Sequence, residues 1–362
     1  MKPILSICIP TLNRSNYLAQ AIRSILENNS HLHQIEVCIS NNCSDSDYSE
    51  SEQLIATSSK LCSIKYVQQK VRLPLDQHHH YVTQMASSDY VYFLGDDDFF
   101  LRNQMELLMS FIGAQAPDLA IFNAYRVDVD NGYIGRHFHL ESSSYQSLAH
   151  AYRDLRNKCS FGAVLVRRDL LPGEVFRKLY GTDHAYCCFW AALFWMHERG
   201  ERLRIFVPDF PCVALRCVSK NYNHIDVHYK TIPYWVTVYQ GMFGSGIARQ
   251  LIDEHAAFVS KMNSSARFLI ELANLGHDLN RIERSDPLFY RKFQVKILVC
   301  RYLSSSSIYK SLRRFYRTYL KKSPVKSWTV DPASCNRLLP SAVGDSGAPS
   351  PCPGSQPSME CE

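Results

Sequence analysis

Short apolar runs and amphipathic segments alternate along the first 125 residues of the chain. The first run, Ile4–Ile9, ends at Pro10, and a short apolar run stopped by proline is typical of a buried strand. In the next segment Leu18, Ile22 and Ile25 recur at helical spacing, which predicts an amphipathic helix. The same patterns predict strands at 35–39, 64–67, 90–94 and 119–122, and helices at 48–59, 77–86 and from about 102 onward. Strands and helices that alternate in this way form βαβ units, so we predict an α/β fold with a doubly wound, mostly parallel sheet.

Polar clusters follow three of the predicted strands, at residues 10–14, 40–47 and 95–98. Ligands of open parallel sheets bind beyond the carboxyl ends of the strands, so the pattern predicts a ligand site at that edge. The sequence has neither a G-x-x-x-x-G-K-[ST] motif nor a G-x-G-x-x-G motif after a strand. Their absence argues against P-loop chemistry and against Rossmann dinucleotide chemistry.

Three consecutive aspartates, Asp96, Asp97 and Asp98, come directly after the predicted strand at 90–94. Neighbouring carboxylates repel each other and raise each other's pKa, so such a cluster needs a cation or hydrogen bonds. Mg²⁺ typically takes one or two protein carboxylates together with phosphate oxygens of a substrate. The alternative is a solvated acidic turn or a cluster at a helix N-terminus, where aspartate is favourable.

Composition limits the other possibilities. The chain has 362 residues, 46% of them apolar, and a formal charge of +6, which fits two domains or one large domain with an appendage. The longest apolar run, Cys187–Met196, is too short to cross a bilayer, and the N-terminus has no secretory signature. None of the 13 cysteines forms a C-x-x-C pair, so we interpret them as reduced thiols of a cytosolic protein.

The composition also divides the chain into three regions. Residues 1–230 carry the α/β pattern, residues 231–330 look helical and become basic, and residues 331–362 are rich in Pro and Ser and are predicted to be disordered. No acidic residue lies between Asp286 and Asp331, whereas the segment from Arg291 to Lys326 holds 11 Lys or Arg among apolar and aromatic residues. This pattern predicts binding to an anionic membrane surface. The alternatives are a solvated helix on the protein's own core and nucleic-acid binding, for which no known module is present.

Three motifs lie at the ends of predicted strands, in the segments Ser6–Arg14, Ile39–Asp45 and Phe93–Asp98. In type, order and position they resemble the family 2 glycosyltransferases of GT-A fold, and within that family the bacterial O-antigen enzymes of the abequosyltransferase type. The resemblance is good over residues 4–125 and weak over 155–222. It implies a GT-A domain over residues 1–230, followed by a helical, basic, membrane-proximal region.

The resemblance assigns the first two polar clusters to the nucleotide of a nucleoside-diphosphate sugar. The matching residues are Pro10, Thr11, Asn13, Arg14, Asn41 and Asn42. Asn41 stands where the family usually has an aspartate that accepts a hydrogen bond from uracil N3. Because cytosine N3 is an acceptor and suits an amide N–H, the donor can be a CDP-sugar. The alternative is that Asn41 accepts through its carbonyl oxygen and the donor is a UDP-sugar.

The aspartate triplet matches the D-x-D motif of the family, in one of two registers. Asp96 and Asp98 have the literal spacing, whereas the common four-residue form places Gly95 first and Asp97 at the metal. In either register, one carboxylate is expected to hold Mg²⁺ or Mn²⁺ against the donor diphosphate. Another, with Asp96 and Asp97 as candidates, is expected to contact the ribose or to order the waters of the metal.

The resemblance also implies inverting transfer, in which a carboxylate base takes the proton of an acceptor hydroxyl. The best candidate is Asp183, which precedes the apolar segment at 187–196, with His184 as a fallback; the alternative for Asp183 is a helix cap. Arg216 matches a position where a late strand delivers a basic residue to the diphosphate or to an acceptor phosphate, and the alternative is a surface arginine. The run at His78–His80 is interpreted as a polar helix start, because consecutive helical side chains seldom share one ion.

Together these features predict a metal-dependent, inverting glycosyltransferase, peripheral at the cytoplasmic face of the cell membrane. It would move a sugar, with deoxyhexoses among the candidates, to a lipid-linked saccharide in O-antigen or other surface polysaccharide synthesis. One alternative is a nucleotidyltransferase of sugar phosphates, although the Gly-rich basic loop of such enzymes is absent from the N-terminal part of the sequence. Another alternative is a non-catalytic scaffold that binds a nucleotide-sugar or a membrane.

Overall fold

The computed structural model divides the chain into two compact units, Met1–Val218 and Ser219–Val330. The structure describes residues 2–128, 130–137, 140–155, 161–178, 204–216, 264–274 and 287–307, together with isolated residues between and beyond these ranges. The predicted tail at 331–362 lies outside the described residues, so its disorder stays a prediction. The predicted boundary near residue 230 likewise stays a prediction.

An eight-stranded sheet forms the centre of the first unit, in the order β3-β2-β1-β4-β10-β6-β11-β9. Its strands are β1 (Leu5–Thr11), β2 (Ile35–Asn41), β3 (Ser63–Gln68), β4 (Tyr90–Phe93), β6 (Leu119–Ile121), β9 (Ser143–Tyr145), β10 (Val164–Arg167) and β11 (Ile205–Val207). A second sheet of four strands has the order β5-β12-β7-β8. Its strands are β5 (Phe99–Phe100), β7 (Ala124–Val127), β8 (Tyr133–Arg136) and β12 (Val213–Arg216).

In the described part of the first unit, six α-helices lie between these strands along the chain. They are α1 (Ser15–Glu27), α2 (Ser49–Ser58), α3 (Leu75–Gln84), α4 (Gln104–Gln115), α5 (Leu148–Leu155) and α6 (Gly173–Lys178). Short 3-10 segments occupy Asn29–Gln34 and Arg168–Leu170. The apolar face of α1 predicted from its spacing is buried, with Leu18, Ile22 and Ile25 in the core beside β1 and β2.

The predicted parallel arrangement is confirmed for the first four strands of the central sheet. β1 pairs in parallel with both β2 and β4, and β2 pairs in parallel with β3. Beyond β4 the direction changes, because β10 is inserted antiparallel between β4 and β6. The sheet is therefore mixed at this end, and the parallel half carries the three polar clusters at its carboxyl edge.

Helices α7 (Ala266–Asn274) and α8 (Pro287–Ser305) of the second unit share a small core of their own. Its buried members are Leu269, Ile270, Leu279, Ile282, Ile297 and Cys300. The Cys300 thiol donates to the carbonyl oxygen of Ala266 at 3.7 Å, which ties the two helices together. Among the described residues, no helix is both long enough and apolar enough to cross a bilayer.

A buried carboxylate joins β2 to the start of β4. Glu36 is 1% exposed and receives Lys65 Nζ at 2.7 Å, the backbone N–H of Ser88 at 3.1 Å, and hydroxyl hydrogen bonds from Ser6 and Ser87. Burial alone would raise the pKa of Glu36, but the hydrogen bonds from Lys65, Ser6 and Ser87 outweigh it and lower this pKa to about 2. The folded structure therefore stabilises the ionised form of Glu36 relative to the unfolded chain.

We expect Glu36→Gln to lower the free energy of unfolding by about 2 kcal/mol at pH 7, because it removes a buried charge and orphans Lys65. Since the pKa of Glu36 is lowered in the folded state, its contribution is present above the unfolded value, near 4.3, and is lost as the pH falls toward 2. Urea denaturation between pH 7 and pH 2 measures this: the difference between the two proteins should fall to about half at pH 3 and be largely gone at pH 2. Glu50→Gln, at an exposed ion pair with Arg23, is the control and should cost less than about 0.5 kcal/mol. A difference that stays constant with pH would contradict the assignment.

Candidate active site

The carboxyl ends of β1, β2 and β4 bring the three predicted polar clusters together. Thr11 and Asn41 end neighbouring strands and lie directly opposite each other in the register of β1 and β2. On the other side of β1, Leu94 N donates to the Cys8 carbonyl at 3.1 Å, and the chain then enters the aspartate triplet. Pro10 is buried within β1, so it shapes the end of this strand.

Asp96 faces the loop that follows β1. Its Oδ2 accepts hydrogen bonds from Thr11 Oγ1 at 2.8 Å and from the backbone N–H of Leu12 at 3.3 Å, and its Oδ1 accepts from Arg14 at 3.1 Å. Burial, and then the neighbouring Asp97 carboxylate, raise the pKa of Asp96 above its usual range. Asp96 thus connects the first polar cluster to the third.

Asp98 faces the opposite way, toward β12. Its Oδ1 accepts a hydrogen bond from the backbone N–H of Arg216 at 3.0 Å. A Cβ atom at Gly162 would stand 2.7 Å from Asp98 Oδ2, and the φ of Gly162 is +100°, so both space and backbone conformation require glycine there. Burial, and then Asp97, raise the pKa of Asp98 well above its usual range.

Of the two carboxylates that contact Arg14, that of Asp97 is the more exposed to solvent. Its side chain is 15% exposed, against 8% for Asp96. The Arg14 guanidinium lies 2.7 Å from Asp97 Oδ2 and 3.1 Å from Asp96 Oδ1. Although burial lowers the pKa of Arg14, these two carboxylates raise it above its usual value, which fixes a positive charge at the site.

The chemistry of this cluster fits a hard divalent cation. The three aspartates are consecutive, and burial and the neighbouring Asp97 carboxylate disfavour the charged forms of Asp96 and Asp98, so additional positive charge would stabilise those forms. Within the part of the chain that the structure describes, no group of three or more His, Cys, Asp or Glu side chains is arranged to hold an ion. An ion held by one or two carboxylates would be completed by water and by phosphate oxygens of a substrate.

The loops after β1 and β2 are joined by hydrogen bonds that involve a residue missed in the sequence. The Tyr48 hydroxyl lies 2.8 Å from Thr11 Oγ1 and accepts the backbone N–H of Arg14 at 3.1 Å. Asn13 has a φ of 56°; its N–H donates to Ser44 Oγ at 2.9 Å, and its Oδ1 accepts the N–H of Asp45 at 2.8 Å. Asn13 is therefore a structural link between the two loops.

Asn41 and Asn42 are both buried and shape the second loop. Asn41 Oδ1 accepts the backbone N–H of Ser44 at 3.1 Å, and Asn41 Nδ2 donates to the Tyr66 hydroxyl at 3.1 Å. Asn42 exchanges two hydrogen bonds with the backbone of Leu73, at 2.8 and 2.9 Å. An amide has two N–H donors, so Asn41 can donate to a ring acceptor as well as to Tyr66.

Arg216 is buried, and its side chain contacts the backbone of the aspartate triplet. Its guanidinium donates to the Asp97 carbonyl at 2.8 Å, to Gln20 Oε1 at 2.7 Å and to Asn131 Oδ1 at 2.6 Å. Its Cζ also lies 4.5 Å from the ring centroid of Tyr17. Arg216 therefore joins the triplet to α1 and to the loop between β7 and β8, while its contact with a diphosphate stays a prediction.

The three consecutive histidines of α3 are buried and have separate surroundings. His78 Nε2 lies 3.0 Å from the Ser40 carbonyl oxygen, His79 stacks on Phe161, and His80 stacks on Phe176 and contacts the Tyr180 hydroxyl. Burial lowers the pKa of His78 to about 4 and that of His79 to about 3, so both are neutral at pH 7. The histidines thus pack α3 and do not share one ion.

The predicted base, Asp183, and its fallback His184 lie outside the described residues. Tyr180, three residues before Asp183, is described and is held by His80 Nδ1. The base assignment stays a prediction.

Comparison with known proteins shows which family the first unit resembles. Residues 6–172 match the family model described as glycosyl transferase family 2. Over 113 residues the chain is 30% identical to abequosyltransferase RfbV of Salmonella typhimurium, a match that covers 31% of this chain and 34% of RfbV. Over 129 residues it is 31% identical to a glycosyltransferase of Rickettsia bellii, covering 36% of this chain and 18% of that protein. The matched part of the chain therefore spans about a third or less of these two relatives.

Solved structures agree on the fold. S. aureus TarS 1–349 in complex with UDP has a TM-score of 0.52 and 13% identity, over 87% of this chain and 92% of TarS 1–349. The same TarS segment in complex with UDP-GlcNAc has a TM-score of 0.52 and 14% identity over the same shares. Residues 6–172, just under half of the chain, are thus similar to glycosyl transferase family 2, and the TarS structures share the fold.

Proposed function

We propose that this protein is a metal-dependent, inverting glycosyltransferase that uses a nucleoside-diphosphate sugar. The observation that carries the proposal is the cluster of three carboxylates at the carboxyl edge of β4, of which two also contact Arg14. The family match supports sugar transfer, and the TarS complexes with UDP and UDP-GlcNAc support a nucleotide-sugar donor.

Each aspartate has a different role in this proposal. Asp96 positions the loop after β1, and Asp98 fixes the triplet to β12. Asp97, whose side chain is 15% exposed, would hold Mg²⁺ or Mn²⁺, which corresponds to the four-residue register rather than the literal one. When bound, the cation supplies Lewis-acid stabilisation of the negative charge on the leaving diphosphate. Arg14 adds a fixed positive charge beside it.

The nucleotide is placed between the loops that follow β1 and β2. In this proposal Thr11, Asn13 and Arg14 contact the nucleotide from one side, and Asn41 and Asn42 contact it from the other; Thr11 and Asn41 end neighbouring strands. In the transfer step, Asp183 takes the proton of an acceptor hydroxyl. The hydroxyl oxygen bonds to the anomeric carbon as the bond from that carbon to the diphosphate oxygen breaks, and the nucleoside diphosphate leaves.

The acceptor is proposed to be a lipid-linked saccharide at the cytoplasmic face of the membrane, in O-antigen or other surface polysaccharide synthesis. The likeness to abequosyltransferase RfbV supports this class and supports a deoxyhexose as the sugar. The basic composition of the region after Asp286 supports action near an anionic surface.

A donor screen tests the proposed activity. Release of nucleoside diphosphate is measured from UDP-, CDP-, GDP- and dTDP-sugars, with Mn²⁺ and with EDTA. We expect turnover of one nucleotide class that is lost in EDTA. Turnover that is equal in EDTA would contradict the metal dependence, and a screen with no turnover, with neither UDP nor CDP bound in the presence of Mn²⁺, would contradict the transferase.

The choice between CDP and UDP is expected to depend on Asn41. An amide N–H pairs with cytosine N3 and a carboxylate pairs with uracil N3–H, so Asn41→Asp should move the ratio of CDP to UDP affinity toward UDP by about tenfold. Isothermal titration with CDP and UDP in the presence of Mn²⁺ measures this ratio. Because both nucleotides are measured on the same variant, a partial loss of folded protein affects both measurements alike and does not change their ratio. An unchanged ratio would show that Asn41 does not contact the base.

A further inference from the structure

Helix α8 of the second unit carries a row of large apolar side chains on the face opposite its core contacts. Its core face includes the buried Ile297 and Cys300, which pack with α7. On the other side Val295 is 70% exposed and Tyr302 is 75% exposed. The complete exposed set is Leu288, Val295, Leu298, Val299 and Tyr302, which we call the α8 stripe.

The spacing of the α8 stripe places its members on one side of the helix. Positions 288, 295, 299 and 302 are separated by seven, four and three residues, which is the repeat of a single helical face, and 298 is adjacent. Solvated helix faces are normally polar, and contiguous exposed apolar surface marks a site of interaction. The α8 stripe is therefore a surface that suits a partner.

The charges around the stripe define the chemistry of that partner. Arg291 and Lys292 are exposed on the same side as Val295, and Lys296 is exposed on its flank. The sequence has no acidic residue between Asp286 and Asp331. The charged residues of the described helix Pro287–Ser305 are all cations. An apolar row beside cations matches a surface that offers both negative charge and an apolar interior, which is the composition of an anionic bilayer interface.

We infer that the α8 stripe binds an anionic membrane surface, with its apolar side chains among the lipid acyl chains and its cations at the headgroups. The inference rests on the proposed function, since it names the membrane contact of an enzyme whose acceptor is proposed to be lipid-linked. A shallow cavity of about 470 Å³ adjoins the stripe, and its lining includes Ala266, Lys292, Lys296, Val299 and Leu303. The same combination of apolar and basic side chains thus continues beside it.

Sedimentation of the full chain with vesicles tests the inference. The probes are vesicles of phosphatidylcholine alone and vesicles with about a third of phosphatidylglycerol, at low and high salt. We expect binding to the anionic vesicles at low salt and weaker binding at high salt, because salt screens the charges. Each basic residue near such a surface contributes about 1 kcal/mol, so Arg291→Gln with Lys292→Gln should weaken binding by roughly 25-fold.

The apolar part is tested with the double variant V295E/V299E, which should weaken vesicle binding at least as much. Both positions are exposed, so far-UV circular dichroism should be unchanged. Leu61→Glu, at an apolar side chain that is 61% exposed in the first unit, is the matched control and should bind as the wild type does. Binding that is absent at low salt, or equal in V295E/V299E, would overturn the inference.

Light scattering tests whether a second copy of the chain, rather than a membrane, covers the α8 stripe. A wild-type dimer that becomes a monomer in V295E/V299E would show that the stripe is an interface between copies, and would overturn the inference.

CDP and UDP titration with Mn²⁺ separates this inference from the proposed function. Nucleotide binding without vesicle binding would remove only the membrane contact, whereas vesicle binding without nucleotide binding would remove the transferase.

Discussion

Asp97→Asn is expected to lower the turnover of the donor sugar by at least about 100-fold, because it removes the proposed carboxylate ligand of the metal. An asparagine has the same shape and keeps one acceptor oxygen, but it carries no negative charge. Its effect should therefore fall on the metal and only weakly on the fold. The direct measurement is the affinity of CDP and UDP with and without Mn²⁺, and the gain that Mn²⁺ gives the wild type should disappear in the variant.

Asp89, at the opposite end of β4, provides a matched control for this change. Asp89 precedes β4, its side chain is 64% exposed, and it forms an ion pair with Lys2. Asp89→Asn should leave both turnover and the effect of Mn²⁺ unchanged. Asp96→Asn gives the second comparison, because Asp96 is occupied by Thr11, Leu12 and Arg14. If the Mn²⁺ effect survives in Asp97→Asn and is lost in Asp96→Asn, the literal D-x-D register is correct and the proposed one is wrong.

The sequence was sufficient to predict the edge of the sheet at which the three polar clusters meet. Apolar runs of four to seven residues with polar ends determine β1, β2 and β4, and parallel pairing then brings Thr11, Asn41 and the triplet to one edge. This part depends only on local periodicity and on the geometry of βαβ units. The same reasoning recovered the buried face of α1.

The direction of the later strands and the partners of individual side chains could not be predicted from local periodicity. The apolar run at Ala163–Val166 predicts a strand, but nothing in its periodicity reveals that β10 is antiparallel to β4. The sequence gives no reason to assign different roles to the three consecutive aspartates, because they are the same residue type. Only the neighbours in the fold distinguish them: Thr11 for Asp96, solvent and Arg14 for Asp97, and Gly162 for Asp98. Tyr48 was missed because a tyrosine in a polar turn has no distinguishing pattern.

Arg216 shows why long-range contacts limit a sequence-based prediction. Its partner Gln20 is 196 residues away along the chain, and its partner Asn131 is 85 residues away. A surface arginine was the alternative at this position, whereas the structure buries its guanidinium against three oxygen acceptors and the ring of Tyr17. We interpret Arg216 as a positioning residue, which holds the backbone at Asp97 in the geometry that the metal requires.

Arg216→Met is accordingly expected to lower turnover by about 10- to 100-fold and the free energy of unfolding by about 3 kcal/mol. The variant removes the donors to the Asp97 carbonyl, Gln20 and Asn131, which leaves half-buried acceptors unsatisfied. If Arg216 acts by positioning, the affinity for Mn²⁺ in the presence of UDP or CDP should fall. Gln20→Leu and Asn131→Ala, which keep the guanidinium but remove its supports, should then reproduce a smaller part of that fall.

The alternative role, direct contact with the diphosphate, leads to a different result. In that case Arg216→Met would weaken UDP far more than UMP, and Gln20→Leu and Asn131→Ala would leave the Mn²⁺ affinity unchanged. Binding of both nucleotides can be measured by titration without knowledge of the sugar or the acceptor. Because the guanidinium already donates to three oxygen acceptors, we expect the UDP to UMP ratio to change by less than about threefold. A larger change would assign Arg216 to the donor phosphates and would leave the Asp97 loop to be held by Asp98 and Arg14.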